Sequence, residues 1–231
     1  NVACLLAKDF KKDKILMIDW DLEAPGLDEY FARAFSPNFN KKHQPGLIDL
    51  FYEARNILET NNIVGELPID FFQNLNIEKY LVETNIHQLW LLSAGKHDDK
   101  YSSRVNTFDW KEFFDKYPYF ILQFAEYLRD EYRFTLIDSR TGYTDISGIC
   151  TSLMPEKLVV VFTPNRQSVA GTIEIAHKAV EYRKQSDDLR PLIIFPLASR
   201  IENAEDELHQ EWRFSSVEQR DYIGYQPMFE S

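Results

Sequence analysis

The sequence predicts an α/β fold, a doubly wound and mostly parallel sheet with helices on both of its faces. Two observations predict it. Short apolar runs alternate along the 231 residues with segments of helical periodicity, as they do in βαβ units. The run LVVVFT at 158–163 is continuously apolar and rich in β-branched residues, which is typical of a parallel strand buried on both faces. We therefore expect parallel strands joined by crossover helices.

The first half of the chain is expected to contribute two strands, two helices and an insertion. A helix is predicted over 2–10, and the apolar run in ILMID predicts a buried strand over 15–19. Apolar side chains recur at helical intervals in 46–58, which predicts an amphipathic helix. The stretch 61–86 has no clear period, so we expect a small helical insertion there. HQLWLL at 87–92 predicts a short strand.

The second half repeats the alternation of strands and helices. A long helical pattern is interrupted near Pro118, because proline lacks the N–H group that a helix interior needs. The tail after residue 200 is polar and acidic. The expected elements are a helical pattern over 110–132, strands over 134–138, 158–163 and 191–197, and a helix over 167–183.

Composition predicts one globular domain over 1–231. Hydrophobic residues make up 44% of the chain, and no stretch rich in proline, glycine and serine separates two parts. The formal charge of -11 disfavours non-specific binding to nucleic acids or anionic membranes, because both need a basic face. Specific nucleic-acid binding is not supported either.

Cysteine usage and hydropathy predict a cytoplasmic location. Cys4 and Cys150 are too few and too far apart for a disulfide framework or a zinc site, which fits a reducing compartment. No apolar stretch approaches the roughly 20 residues that span a bilayer, and no signal peptide is recognisable. The chain opens without methionine, in residues typical of a helix interior, so we expect its natural start to lie upstream.

Two of the predicted strands end in acidic residues. ILMID leads into Asp19 and Asp21, and FTLID ends on Asp138. In an open parallel sheet, ligands bind beyond the carboxyl ends of the strands. Carboxylates there suit Mg²⁺, which prefers one or two carboxylates together with water and phosphate oxygens. A single aspartate at the end of a strand usually has only a structural role in the following turn. Two such strands indicate a candidate nucleotide-phosphate site, and the residues alone support no finer assignment.

Together these segments resemble the deviant Walker A family of P-loop ATPases, the SIMIBI-class family that contains MinD and ParA. ILMIDWDLEAPGL resembles its strand and switch I segment, and FTLIDSRTGYTDISG resembles its Walker B strand and switch II. KLVVVFTPNRQSVAGT resembles the next strand with its helix, and VACLLAK resembles the helix after the P-loop. The resemblance covers Asn1 to about Arg200 and is nearest to a bacterial subgroup of large, often multidomain proteins. It implies a P-loop NTPase-like fold with ATP and Mg²⁺ as ligands.

The resemblance implies a role for each of the three acids. Asp138 would hold Mg²⁺ through water, as the Walker B acid does. Asp21 would position or deprotonate the attacking water, and Asp19 would support the metal ion or the P-loop lysine. Thr141 and Gly142, in switch II, would sense the γ-phosphate.

The resemblance also implies nucleotide contacts at two other places. Arg140 would reach a phosphate or the nucleotide of a partner subunit, with a solvated turn arginine as an equal alternative. Where the family offers an amide side chain to the adenine, this chain has Ser199 and Arg200. Stacking of Arg200 on the base is the substitute that we consider.

One part of the family's site has no counterpart in this sequence. No segment matches a Gly-rich loop of the GKGGVGK type, whose place would be just before Asn1. That loop supplies backbone N–H groups and a lysine to the phosphates, so we expect the chain alone to bind ATP weakly.

Three functions are compatible with these residues. The first is an ATPase that forms a homodimer around ATP and uses hydrolysis to time the binding of a protein partner that no motif identifies. The second is a non-catalytic interaction domain with a degenerate ATPase fold, which the retention of three costly acids disfavours. The third is a phosphotransferase of the bacterial tyrosine kinase type, which the lack of a tyrosine-rich tail disfavours.

Overall fold

The computed structural model describes residues 2–35, 39–140, 148–185, 190–201, 210, 213–214 and 224–230. The chain divides into two compact units, Asn1–Cys150 and Thr151–Ser231, and each carries its own sheet. The pairing of the strands is mostly parallel and helices accompany them, so the predicted α/β class is confirmed. The single domain over 1–231 stays a prediction.

The first unit is built on a four-stranded sheet. Its strands are β1 (Ile15–Asp19), β2 (Leu81–Glu83), β3 (Leu89–Leu92) and β4 (Phe134–Asp138), and they lie in the order β2–β3–β1–β4. The central strand β1 runs parallel to β3 and β4, whereas β2 runs antiparallel to β3. The two strands that end in acids are therefore neighbours, and their carboxyl ends lie at one edge.

Seven α-helices are described in the first unit. They are α1 (Val2–Asp9), α2 (Leu27–Tyr30), α3 (Leu47–Thr60), α4 (Phe71–Leu75), α5 (Tyr101–Thr107), α6 (Trp110–Lys116) and α7 (Phe120–Glu131), with 3₁₀ turns at Ala32–Ala34 and Ile77–Tyr80. The helical pattern over 110–132 thus forms two helices on either side of Pro118, as predicted. Asp109 caps α6, because its carboxylate accepts a hydrogen bond of 2.8 Å from the Glu112 N–H.

Both faces of β1 are covered. Ala3 and Ala7 bring α1 against one face, because their small side chains permit a close approach to the odd-numbered residues of the strand. Leu16 and Ile18 point to the other face, since side chains alternate along a strand, and both are fully buried. A slip of one residue would exchange these two faces, so burial fixes the register of β1.

An aromatic cluster centred on Phe51 of α3 ties three helices to the end of β1. The Phe51 ring lies 5.7 Å from that of Trp20, which directly follows β1. It also lies 4.8 Å from the ring of Trp110 on α6 and 5.4 Å from that of Phe120 on α7. Such pairs stabilise by about 1 kcal/mol each beyond their burial. The cluster therefore gives the loop after β1 a rigid base.

The segment 61–86 contains more than the helical insertion that its sequence predicts. It forms α4 and the 3₁₀ turn Ile77–Tyr80, and it then continues into strand β2. Leu81 to Glu83 pair with β3, which begins at Leu89 and not at residue 87. A three-residue strand is stabilised by its partner strand more than by its own sequence pattern, which explains the difference.

The second unit pairs β5 (Lys157–Phe162) with β6 (Ile193–Ala198) in parallel through the helix α8 (Arg166–Gln185). A π-helical turn at Ile149–Leu153 spans the division between the units, and a short helix α9 (Tyr225–Glu230) lies near the end of the chain. The guanidinium group of Arg183 on α8 donates to the carbonyls of Ser152 and Pro155, which joins the helix to the segment before β5.

The expectation that 158–163 is buried on both faces is wrong for the described residues. Leu158 and Val160 pack against α8 and α9, but Val159 and Val161 are each 54% exposed. The reason is the alternation of side chains, because both helices pack on the face that carries Leu158 and Val160. In the described part of the chain, no helix is both long and apolar enough to cross a membrane.

Candidate functional site

The acidic ends of β1 and β4 meet at one edge of the first unit's sheet. Asp19 and Asp138 are register partners in the parallel pairing of these strands. The Trp20 N–H donates a hydrogen bond of 2.8 Å to the Asp138 carbonyl, so the pairing continues one residue past β1. The sequence predicts this edge as a ligand site, and the structure brings Asp19 and Asp138 together there.

Asp19 closes the loop that follows β1. Its Oδ2 atom accepts hydrogen bonds of 3.0 Å from the N–H groups of both Gly26 and Leu27, and its Oδ1 atom accepts one of 3.3 Å from the Asp21 N–H. The residue is only 1% exposed. Three backbone donors therefore use most of the acceptor capacity of this carboxylate, and Asp19 holds the loop over residues 20–27 in a closed shape.

Asp21 and Asp138 keep more of their carboxylate oxygens available. The Oδ1 atom of Asp21 accepts a hydrogen bond of 3.2 Å from the Ala24 N–H, and among the described residues none donates to its Oδ2 atom. The Asp138 carboxylate likewise accepts no hydrogen bond from the residues that the structure describes. These two carboxylates are the ones that can accept a cation or a water molecule without breaking the loop.

Burial and mutual repulsion raise the pKa values of two acids at this edge, Asp19 and Asp138. Burial first, and then the charge of Asp138, raise the pKa of Asp19 to about 6, against the lowering effect of its backbone hydrogen bonds. Partial desolvation and then the charge of Asp21 raise the pKa of Asp138. Like charges are thus crowded together without a described basic side chain between them. Such crowding is relieved by a proton or by a cation.

We expect the Asp19 carboxyl group of this chain to titrate near pH 6, because burial disfavours its ionised form. A raised pKa stabilises the fold fully below about pH 4, and this contribution is lost as the pH rises through about 6. Ionised Asp19 therefore lowers the free energy of unfolding at neutral pH, by about 3 kcal/mol at most. Carboxyl ¹³C NMR of the labelled chain measures the midpoint.

Two variants control this titration. Asp138→Asn removes the neighbouring charge, so the Asp19 midpoint should fall but stay above its ordinary value, because burial is the larger cause of the raised pKa. Asp115→Asn removes the same charge from an exposed ion pair with Lys111 on α6, and it should leave the midpoint unchanged. An Asp19 midpoint near pH 4 in the unmodified chain would contradict the electrostatics described above.

Arg140 and Glu23 join the two loops of the edge. The guanidinium group of Arg140, after β4, forms an ion pair with the carboxylate of Glu23 in the loop after β1. Both side chains are about half exposed. Arg140 is therefore at the predicted edge, but its partner there is an acid of the same chain.

The remaining predicted contacts lie either outside the described residues or in the second unit. Thr141 and Gly142 lie outside the described residues. Ser199 and Arg200 follow β6 in the second unit, where the Ser199 N–H donates a hydrogen bond of 2.8 Å to the Phe162 carbonyl. Arg200 has a φ of 56°, which is a turn conformation. The roles of these four residues stay predictions.

Sequence reasoning missed Tyr101, which contacts the loop after β1 from α5. Its hydroxyl group donates a hydrogen bond of 2.8 Å to the Leu22 carbonyl. Burial, followed by the nearby acids of which Asp19 is the first, raises the pKa of Tyr101 well above its usual range. No motif marks this residue, because the short polar helix α5 lacks a clear apolar period.

The carboxylate groups at this edge of the sheet are chemically suited to bind Mg²⁺. Carboxylate oxygens suit this ion, and the Asp138 carboxylate supplies them, with the Asp21 carboxylate near it and available to a water molecule. Within the described ranges, no group of three or more histidine, cysteine, aspartate or glutamate side chains is arranged to hold a metal ion. A magnesium ion at this edge would therefore need further oxygen ligands from water or phosphate, as it does in nucleotide sites.

Comparison with known proteins identifies the fold. No family model matches the chain, and no curated protein matches it. Among solved structures, it is similar to a putative plasmid partition protein of Borrelia burgdorferi B31 bound to AMPPNP, at 15% identity and a TM-score of 0.56, over 91% of this chain and 74% of that one.

Two further structures have the same fold. Apo McdA from Cyanthece is similar at 15% identity and a TM-score of 0.55, over 84% of this chain and 65% of that one. The septum site-determining protein MinD of Pyrococcus horikoshii OT3, complexed with Mg-ADP, is similar at 18% identity and a TM-score of 0.53, over 90% of this chain and 68% of that one. The chain therefore has the MinD/ParA-like fold that these structures share, as its motifs predict.

Proposed function

We propose that this chain is the nucleotide-binding part of a Mg²⁺-dependent ATPase. The observation that carries the proposal is the register pairing of Asp19 with Asp138, which puts the acidic loop after β1 beside the end of β4. The solved structures support it, because two proteins of this fold are described as complexes with Mg-ADP and with AMPPNP. ATP and Mg²⁺ are accordingly the ligands that we assign to the edge.

Each acid then has a separate task. Asp138, whose carboxylate accepts no hydrogen bond from the described residues, would hold Mg²⁺ directly or through water. When bound, Mg²⁺ would neutralise part of the negative charge on the phosphates. Asp21 would orient the attacking water and accept its proton through the oxygen that Ala24 leaves free. Asp19 would act mainly as the anchor of the loop.

The remaining predicted residues complete the proposal. Arg140 would exchange Glu23 for a phosphate oxygen, which is also an anionic acceptor. Thr141 and Gly142 would sense the γ-phosphate, and Ser199 and Arg200 would contact the base. We propose further that nucleotide binding controls homodimerisation and the binding of an unidentified protein partner in the cytoplasm.

The Asp138→Asn variant tests the metal assignment. In the full-length natural protein, we expect the Mg²⁺ concentration needed for half-maximal ATP binding to rise about tenfold, because the neutral amide is a weaker ligand of a hard ion. A fluorescent ATP analogue titrated with Mg²⁺ measures this change. Asp115→Asn alters the net charge equally at a distant surface and should have no effect.

This titration, together with an assay of where the γ-phosphate goes, separates the three functions. If ATP binding depends on Mg²⁺ equally in the wild-type protein and in Asp138→Asn, the assignment of Asp138 to the metal ion is wrong. A full-length protein that binds no nucleotide at all would favour the non-catalytic interaction domain. Transfer of the γ-phosphate to protein tyrosine, detected instead of release of inorganic phosphate, would favour the kinase-type reaction.

A further inference from the structure

A residue outside the acidic motifs, Tyr101, also holds the loop after β1. The Tyr101 hydroxyl group donates a hydrogen bond of 2.8 Å to the carbonyl of Leu22, the residue directly after Asp21. The Leu22 side chain is 2% exposed, so the backbone at this point is fixed on both sides. The Asp19 carboxylate closes the loop at its ends, whereas Tyr101 fixes its middle.

A second contact joins the segment before α5 to α2, the helix that follows the acidic loop. The ring of His97 is stacked on that of Tyr101, with ring centroids 4.7 Å apart and an angle of 8° between the planes. The His97 Nε2 atom lies 3.8 Å from the Oδ2 atom of buried Asp28, at the start of α2. The stacked pair therefore contacts both the middle of the acidic loop and the helix that follows it.

The Tyr101 ring has little freedom to move. A Cβ atom at Gly95 would lie 3.2 Å from Tyr101 Cε2, so the ring packs directly on the backbone of that glycine. One helical turn later, the Arg104 guanidinium group donates to the Lys96 carbonyl at 2.6 Å and to the Asp98 carboxylate at 2.9 Å. These bonds fix the N-terminal turn of α5 to the segment that follows β3.

We propose that Tyr101 is a positioning residue, which fixes the Asp21 carboxylate for catalysis by holding the adjacent Leu22 carbonyl. This inference rests on the proposed ATPase function. Asp21 has one hydrogen bond to its carboxylate, from Ala24 within the same loop, so its placement depends on where the loop backbone lies. A displacement of about 1 Å at a reacting group lowers a rate by about a hundredfold at most.

The test replaces Tyr101 by phenylalanine in the full-length protein. Tyr101→Phe keeps the ring that stacks on His97 and packs on Gly95, and it removes only the hydroxyl donor. We expect kcat for ATP hydrolysis to fall about fivefold to tenfold, with KM and nucleotide affinity changed by less than about twofold, because the loop moves and the binding groups do not.

Tyr52→Phe is the matched control. The Tyr52 hydroxyl group on α3 also donates to a backbone carbonyl, that of Arg104 on α5, at 3.1 Å, and it makes no described contact with the acidic loop. The variant therefore loosens the helix that carries Tyr101 without removing a contact to the loop. Loss of the hydroxyl group should cost a similar hydrogen bond, of about 1 kcal/mol, without lowering kcat. Equal losses of kcat in the two variants would show a general structural effect and would overturn the inference.

Amide hydrogen exchange gives a readout that does not depend on turnover. In Tyr101→Phe, the amides of 21–27 should exchange about fivefold faster, while Tyr52→Phe should leave them unchanged. Unchanged exchange in this loop, or an unchanged kcat in an active protein, would overturn the positioning role and leave the ATPase function intact. A wild-type protein without ATP turnover would overturn the proposed function and this inference with it.

Discussion

Replacing Asp21 by asparagine should lower ATP turnover by the full-length protein about a hundredfold or more. Asparagine keeps an oxygen that can accept the hydrogen bond from the Ala24 N–H, so the loop should retain its shape. The amide cannot accept a proton from the attacking water at neutral pH. Steady-state phosphate release measures the loss, and a fluorescent nucleotide titration should show binding within about threefold of the wild-type protein.

Glu23→Gln is the control from the same loop. It removes the same charge two residues away and breaks the ion pair with Arg140, but it leaves the Asp21 carboxylate in place. Its turnover should stay within about threefold of the wild-type protein, because exposed ion pairs contribute little. If Glu23→Gln were as inactive as Asp21→Asn, loss of charge in the loop would explain both results and Asp21 would have no special role.

Gly46→Ala should destabilise the first unit by about 3 kcal/mol or more. A Cβ atom at this position would lie 2.2 Å from the Ser93 carbonyl oxygen and 2.6 Å from the Gly95 nitrogen, both of which belong to the backbone. The φ of Gly46 is -142°, so the constraint is one of space and not of backbone conformation. Urea unfolding of the chain, followed by tryptophan fluorescence, measures the change.

The reason for this close approach is the way in which α3 begins. The N–H groups of Leu47 and Ile48, free at the first turn of the helix, donate to the carbonyls of Ser93 and Ala94 at 2.7 and 3.0 Å. The end of β3 thereby caps α3, and a side chain at Gly46 would separate them.

Gly171→Ala is the matched control for Gly46→Ala. Gly171 lies inside α8, and a Cβ atom there would meet nothing within 4 Å. Alanine should therefore stabilise this helix by about 0.5–1 kcal/mol, since glycine costs backbone entropy in a helix. A Gly46→Ala chain as stable as the unmodified one would contradict the packing of α3 against β3.

The sequence predicts the acidic strands well because their pattern is local. The strands over 15–19 and 134–138 have the same bounds in the structure, since an apolar run that ends in aspartate marks both the strand and its end. The pairing of Asp19 with Asp138 is a matter of strand order and register. No single segment encodes it, because strand order and register depend on contacts between distant parts of the chain.

Two parts of the site could not be predicted because they depend on distant groups. Asp19 accepts hydrogen bonds from Gly26 and Leu27, seven and eight residues further on, so its role as an anchor follows from the closed loop. Tyr101 reaches Leu22 across 79 residues of sequence. The helix that carries Tyr101 is held by Arg104 and Asp98 more than by an apolar stripe, so its own sequence gives little sign of it.

The ion pair between Arg140 and Glu23 has a consequence for how the edge changes state. Ion pairs this exposed stabilise by about 1 kcal/mol at most, so the arginine is released at little cost. An incoming phosphate would replace one anionic partner of the arginine by another, and the guanidinium group would stay neutralised before and after the exchange. Phosphate binding would leave Glu23 without its arginine partner. The surface near the site would then carry one more unpaired negative charge when the ligand is bound than when it is absent.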